Sequence, residues 1–167
     1  MRTNSMKFLP NYFGRASLDK LFFCFPDPHF KRKNHPRRII SERLLTEYAY
    51  LLKPGVGKLY CITDVLELHE WHVAKCDAHP LFQRLFDGSS DVENDPCVQA
   101  MTTETEEGQK VARNKGNKYY AVYQRIAQCD AGAVVTAENF FPEVVALPEE
   151  EETKETTATA GASSLSK

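Results

Sequence analysis

Phe25-Pro-Asp-Pro-His-Phe-Lys-Arg-Lys-Asn-His-Pro-Arg-Arg38 is the stretch on which the reading of this chain turns. The residues leading into it, Lys20-Leu-Phe-Phe-Cys-Phe25, have the apolar density of a short buried strand. Pro26 and Pro28 stop that strand. Proline removes a backbone donor and keeps the residue before it, here Asp27, in an extended or turn conformation. Asp27 is therefore expected at the carboxyl end of a buried strand, where open α/β sheets bind ligands. Five basic side chains follow (Lys31, Arg32, Lys33, Arg37 and Arg38), together with His35. One acid beside a cluster of cations suits a site that modifies a nucleic acid rather than a plain binding surface.

Reading outward, Ser41 is a plausible N-cap for a helix over Glu42 to Leu52, with Leu44, Leu45, Tyr48, Ala49 and Leu52 at helical spacing. Pro54-Gly55 ends it. A strand over Gly57 to Thr63 follows, and Asp64 is expected to cap a second helix that runs to about Ala78. Met6 to Phe13 reads as a short helix or turn broken by Pro10. Phe82 to Phe86 suits either a strand or a helix, and 87–109 is expected to be mostly loop. Asn117 to Ile126 is aromatic and β-prone, a final strand. This alternation predicts an α/β domain with a parallel sheet. No glycine-rich strand-to-helix turn is present, so the order resembles the second half of a doubly wound domain.

The formal charge of −2 is unevenly spread. Residues 143–167 hold six acids and two lysines, which leaves 17 acids against 19 bases in 1–142. Clustered positive charge matters more than its total for attracting phosphate. The expected organisation is a folded domain over 1–142 and an acidic, low-complexity, disordered tail over 143–167. Five cysteines, odd in number and without a CxxC pair, fit a reducing compartment. With no long apolar run and no signal-peptide core, a soluble, intracellular protein away from membranes is expected. His72, Cys76 and His79 fall at helical spacing, but without HExxH or a closing CxxC no metal site is expected.

Several motifs together resemble the tRNA (guanine-N7)-methyltransferases, the TrmB-type branch of the Rossmann-like methyltransferases. They are Arg2-Thr-Asn-Ser-Met-Lys-Phe-Leu-Pro10, Phe25-Pro-Asp-Pro-His-Phe-Lys31, Arg38-Ile-Ile-Ser41, Ile62-Thr-Asp-Val-Leu-Glu-Leu-His69, His79-Pro-Leu-Phe82, and Thr105-Glu-Glu-Gly108 with Arg113-Asn114. The pattern covers roughly Arg2 to Ile126 and corresponds to the family's C-terminal half, in a eukaryotic-like version. The resemblance implies a Rossmann-like S-adenosylmethionine-dependent fold that here lacks its first strands and glycine-rich turn.

It also implies a reaction: transfer of a methyl group from S-adenosylmethionine to guanine N7 in the tRNA variable loop. By motif, Asp27 would orient the guanine, Asn4 would lie near the donor's adenine, and Thr105 and Glu107 would hold the donor's amino-acid end. Lys31, Arg32 and Lys33, with Arg37 and Arg38, would meet RNA phosphates. The implied partners are tRNA and a WD-repeat β-propeller subunit, and the implied location is the nucleus. The alternative is a catalytically inactive module that binds RNA or the propeller partner. Read from the residues alone, Asp27 could simply cap a turn, as Asp beside Pro at a strand end usually does, the basic run could be a solvated loop, and Thr105 could simply start a helix.

Overall fold

A computed structural model describes residues 3–85, 92 and 95–127. The elements are α1 (Ser5–Tyr12), β1 (Lys20–Cys24), a 3₁₀ helix (Arg32–Arg37), α2 (Glu42–Leu51), β2 (Lys58–Thr63), α3 (Leu66–Asp77), β3 (Phe82–Leu85), α4 (Pro96–Thr103), α5 (Glu106–Arg113) and β4 (Tyr119–Arg125). The expected boundary at 142/143 and the acidic tail lie outside the described residues.

One four-stranded sheet organises these elements, in the order β1-β2-β4-β3. β1 and β2 pair in parallel with Lys20 opposite Lys58 and Cys24 opposite Ile62, the crossover being supplied by α2. β4 runs antiparallel to both β2 and β3, so β1, β2 and β3 share one direction. The expectation of a parallel sheet thus holds for three strands and fails for the last. The reason lies in α4 and α5, two helices of eight residues packed on each other. Tyr119 is opposite Thr63, so the chain leaves α5 at the carboxyl end of β2 and must run back through the sheet.

Alternation along the strands separates two apolar layers. Phe23, Leu59, Cys61 and Tyr123 meet Leu44, Leu45 and Tyr48 of α2 and Cys76 of α3 on one face, with Met6 and Leu9 of α1 packed against them. Tyr60, Ile62 and Val122 meet Met101 of α4 on the other. Each fully buried leucine of α2 contributes roughly 1.5–3 kcal/mol of transfer free energy, so this helix is anchored by its stripe rather than by its cap. Ser41 is indeed the N-cap, yet its side chain makes no capping bond; its carbonyl accepts from Leu45 N–H at 2.8 Å. After α2, Gly55 adopts φ +78°, a turn that favours glycine, and donates to the Arg125 carbonyl at 2.8 Å.

One open choice is settled and one further expectation is corrected. Phe82–Leu85 is a strand, which resolves the open choice there. The segment expected as loop contains α4 and the start of α5. Asp95 caps α4 by accepting from Cys97 N–H at 3.0 Å, with Pro96 in the first turn, a combination that starts helices. No helix among the described residues is long and apolar enough to cross a membrane.

Candidate functional site

The site is built at the carboxyl ends of β1 and β2. Phe25 extends the ladder by donating to the Ile62 carbonyl at 2.8 Å, although its φ is +50°. His29 also lies at positive φ, +46°. Positive φ is costly for residues with a Cβ, and a pair of them brackets Asp27. The Asp27 carboxylate accepts from His29 N–H at 3.0 Å through Oδ1, and its side chain is 71% exposed. The turn reading of Asp27 is therefore correct as local structure, and it leaves the carboxylate displayed to solvent.

Arg38 holds this loop to the body of the domain. It is 1% exposed; Nε donates to the Pro28 carbonyl at 2.9 Å and Nη2 to Glu67 Oε1 at 2.7 Å. Its guanidinium lies 4.8 Å from the centre of the Trp71 ring, and Trp71 Nε1 donates to the Ile40 carbonyl at 2.7 Å. The Arg38 hydrogen bond lowers the Glu67 carboxyl below its usual range. His35 packs edge-on against the same indole at 5.4 Å. The expected basic patch is therefore split. Lys31, Arg32, Lys33 and Arg37 are exposed, and among the described residues none pairs with a carboxylate. Arg38 is committed inward and is not displayed with them.

Asp64, read from sequence as a helix cap, is not one. Val65 is the N-cap residue, and its N–H is taken by Thr63 Oγ1 at 3.2 Å. Asp64 is left as a second exposed carboxylate, at the end of the strand adjoining that of Asp27.

On the α4 side of the sheet, a cavity of about 320 Å³ is lined by Phe22 and Cys24 of β1, Cys97, Ala100 and Met101 of α4, and Glu104 and Thr105. Thr105 caps α5: its Oγ1 accepts from Gly108 N–H at 3.1 Å and donates to the Met101 carbonyl at 3.0 Å. Gly108 is required by this packing, since a Cβ there would fall 2.6 Å from Thr105 Oγ1 and 2.8 Å from the Thr102 carbonyl. Glu107 points elsewhere, pairing with Lys110 at 2.7 Å on the surface of α5. Asn4 caps α1 through its Oδ1, and α1 packs with α2 against the opposite core. Thus Asp27 and the four displayed cations share one loop, and Thr105 lines the cavity beside β1. Asn4 and Glu107 are joined to neither by any described contact.

Sequence reasoning missed the polar cluster behind the cavity. Tyr60 Oη donates to Asp95 Oδ2, Lys58 Nζ reaches the same oxygen at 3.3 Å, and Lys20 Nζ lies 3.7 Å from Oδ1 and 3.0 Å from Cys97 Sγ. Burial alone would raise the Asp95 carboxyl, but the Tyr60, Cys97 and Lys58 hydrogen bonds and the nearby Lys20 charge hold it down at about 2. Burial and the Asp95 bond push the Tyr60 hydroxyl up. Only the Asp-Pro helix start hinted at this residue in the sequence.

In open α/β sheets ligands bind outside the carboxyl ends of the strands, and that is the edge at which Asp27 and Asp64 are displayed. The chain belongs to a family described as putative methyltransferase, whose model matches residues 1–121. It is similar to proteins named tRNA (guanine-N(7)-)-methyltransferase. It is 56% identical over 126 residues to that of Chaetomium globosum, 75% of this chain and 42% of the relative. The Schizosaccharomyces pombe protein is 56% identical over 75% of this chain and 45% of its own length. The Brugia malayi protein is 57% identical over 75% and 48%. The chain spans less than half the length of these curated relatives.

Proposed function

We propose that this chain carries the guanine-facing and RNA-contacting part of a tRNA (guanine-N7)-methyltransferase. The observation that carries this reading is the exposed Asp27 carboxylate, held by His29 N–H, beside four exposed cations without carboxylate partners among the described residues, in a chain 56% identical to a protein of that name. Guanine N7 carries a free lone pair and no proton, so attack on a methyl group needs no strong base, and alignment supplies most of the catalysis. A held carboxylate can accept hydrogen bonds from guanine N–H groups, which adenine does not offer in the same pattern. Lys31, Arg32, Lys33 and Arg37 would supply salt-dependent affinity for tRNA phosphates.

S-adenosylmethionine is the methyl donor in this reading, and its sulfonium supplies the transferred methyl. The residues near Thr105 suit one part of it. Thr105 stands where the cavity meets the start of α5, an end of the helix that favours a carboxylate, and the cavity wall of Phe22, Cys24 and Met101 is apolar. A WD-repeat β-propeller partner and a nuclear location belong to the same proposal and rest on the family resemblance.

The test is S-adenosylmethionine binding by calorimetry, followed by methyl transfer to tRNA scored as N7-methylguanosine, with and without the propeller subunit. Asp27→Ala should abolish transfer while leaving donor binding within about twofold, because Asp27 faces the base rather than the donor. Unchanged transfer by Asp27→Ala would remove the role assigned to it. Failure to bind the donor under either condition would support the inactive binding module instead.

A further inference from the structure

We propose that Phe30 is a stacking platform for an unpaired RNA base next to the guanine that Asp27 faces, an inference that rests on the RNA-contact reading above. Phe30 is 66% exposed, the highest value among the large apolar side chains of the described residues. Among the described residues it belongs to neither apolar core and stacks on no ring, whereas the partly exposed Phe22 is covered by Tyr60 at 4.5 Å. Burying its ring elsewhere in the domain would gain transfer free energy, so the backbone must hold it out. The devices that do so are on both sides of it. Arg38 fixes the Pro28 carbonyl, His29 turns the chain at φ +46°, and Asn34 N–H closes the following turn on the Lys31 carbonyl at 2.7 Å.

The neighbours of the ring identify the occupant. Phe30 stands three residues after Asp27 and immediately before Lys31, Arg32 and Lys33, all exposed and without carboxylate partners among the described residues. An aromatic face interleaved with cations is the arrangement by which proteins hold unpaired bases while tracking the phosphates. A protein partner would instead favour complementary acids or apolar cover around the ring, and three adjacent cations disfavour the latter. Because the backbone on both sides of Phe30 is already fixed, little backbone ordering entropy is lost when a base settles on the ring.

The test is fluorescence anisotropy of the full 167-residue chain with a tRNA transcript and with an abasic oligoribonucleotide of matched length. Phe30→Ala should weaken tRNA binding about fivefold or more, leave the abasic chain's affinity unchanged, and keep the same salt slope; Phe30→Trp should restore affinity. The ring touches no core, so the variant should keep the parent's thermal midpoint. Equal tRNA affinity for Phe30→Ala overturns the inference, as does an equal loss on the abasic strand. If the Lys31/Arg32/Lys33→Ala triple variant loses salt-dependent binding while Phe30→Ala does not, the RNA reading stands and the platform falls. If the unmodified chain shows no salt-dependent tRNA binding, both fall. Loss of a protein partner with RNA affinity intact assigns the ring to that partner and overturns the platform.

Discussion

The Arg38 guanidinium donates to the Pro28 carbonyl at 2.9 Å, joining the end of the basic loop to the residue that follows Asp27. The same guanidinium bonds Glu67 and covers Trp71, so a single buried cation ties the loop to α3. A long range of sequence is thereby closed into a rigid base for an exposed carboxylate.

Arg38→Met should destabilise the domain by about 2–4 kcal/mol, because a hydrogen bond to a charged group and stem packing are lost together and the Pro28 carbonyl loses its donor. Arg38→Lys keeps the charge but cannot span Pro28 and Glu67 with one planar fork, and should recover less than half of that. Urea denaturation reads both variants. Proteolysis within 25–38 should rise in each, and unaltered cleavage would show that the loop does not depend on this strut.

The Asp95 cluster makes a signed prediction for acid stability. Its folded pKa, about 2, lies below the unfolded value near 3.8, so its contribution is present above pH 4 and is lost as pH falls toward 2. The size is about 2 kcal/mol, from 1.36 kcal/mol per pKa unit. Asp95→Asn should be less stable than the parent at pH 6 by about that amount, and the two stability curves should converge near pH 2. Curves that stay parallel across this window would show that Asp95 is not the group responsible.

His72 should act in the same direction over a higher pH window. It is 1% exposed, neither ring nitrogen has a hydrogen-bond partner among the described residues, and burial, helped by the nearby His69 and Arg38 charges, lowers it to about 4. The unfolded chain takes up this proton near pH 6.5 and the folded one does not, so stability is full above 6.5 and declines as pH falls toward 4. The decline attributable to this group is up to about 3 kcal/mol. His72→Met should flatten it and add about 1 kcal/mol at pH 7 by removing unsatisfied polar atoms. His79 is also lowered to about 4, first by burial and then by Arg125, so a residual slope should survive until His79 is replaced as well.

Thr105 and Gly108 should behave as one unit. Thr105→Ala removes the α5 cap and should cost about 1 kcal/mol. Gly108→Ala forces a Cβ against Thr105 Oγ1 and the Thr102 carbonyl and should cost about 1–3 kcal/mol. In the double variant the side-chain clash disappears with the hydroxyl, leaving only the contact with the carbonyl. The combined loss should therefore fall short of additivity by at least ~0.5 kcal/mol in thermal denaturation. Strict additivity would mean that the backbone contact alone sets the cost.

Much of this protein was legible in its residues. The apolar runs of β1 and β2 and the stripe of α2 followed from period and density, because burial of a strand or helix face writes itself locally. Pro26 and Pro28 likewise determined that Asp27 would stand at a strand end, since proline acts on its own neighbours. What the tertiary structure alone decided were relations between distant segments. The antiparallel sense of β4 depends on where α4 and α5 release the chain, which no local pattern records. Arg37 and Arg38 are adjacent and chemically identical, yet one is exposed and the other buried. Only Glu67 and Trp71, 29 and 33 positions later, supply the acceptor and the aromatic face that make burial of a guanidinium tolerable.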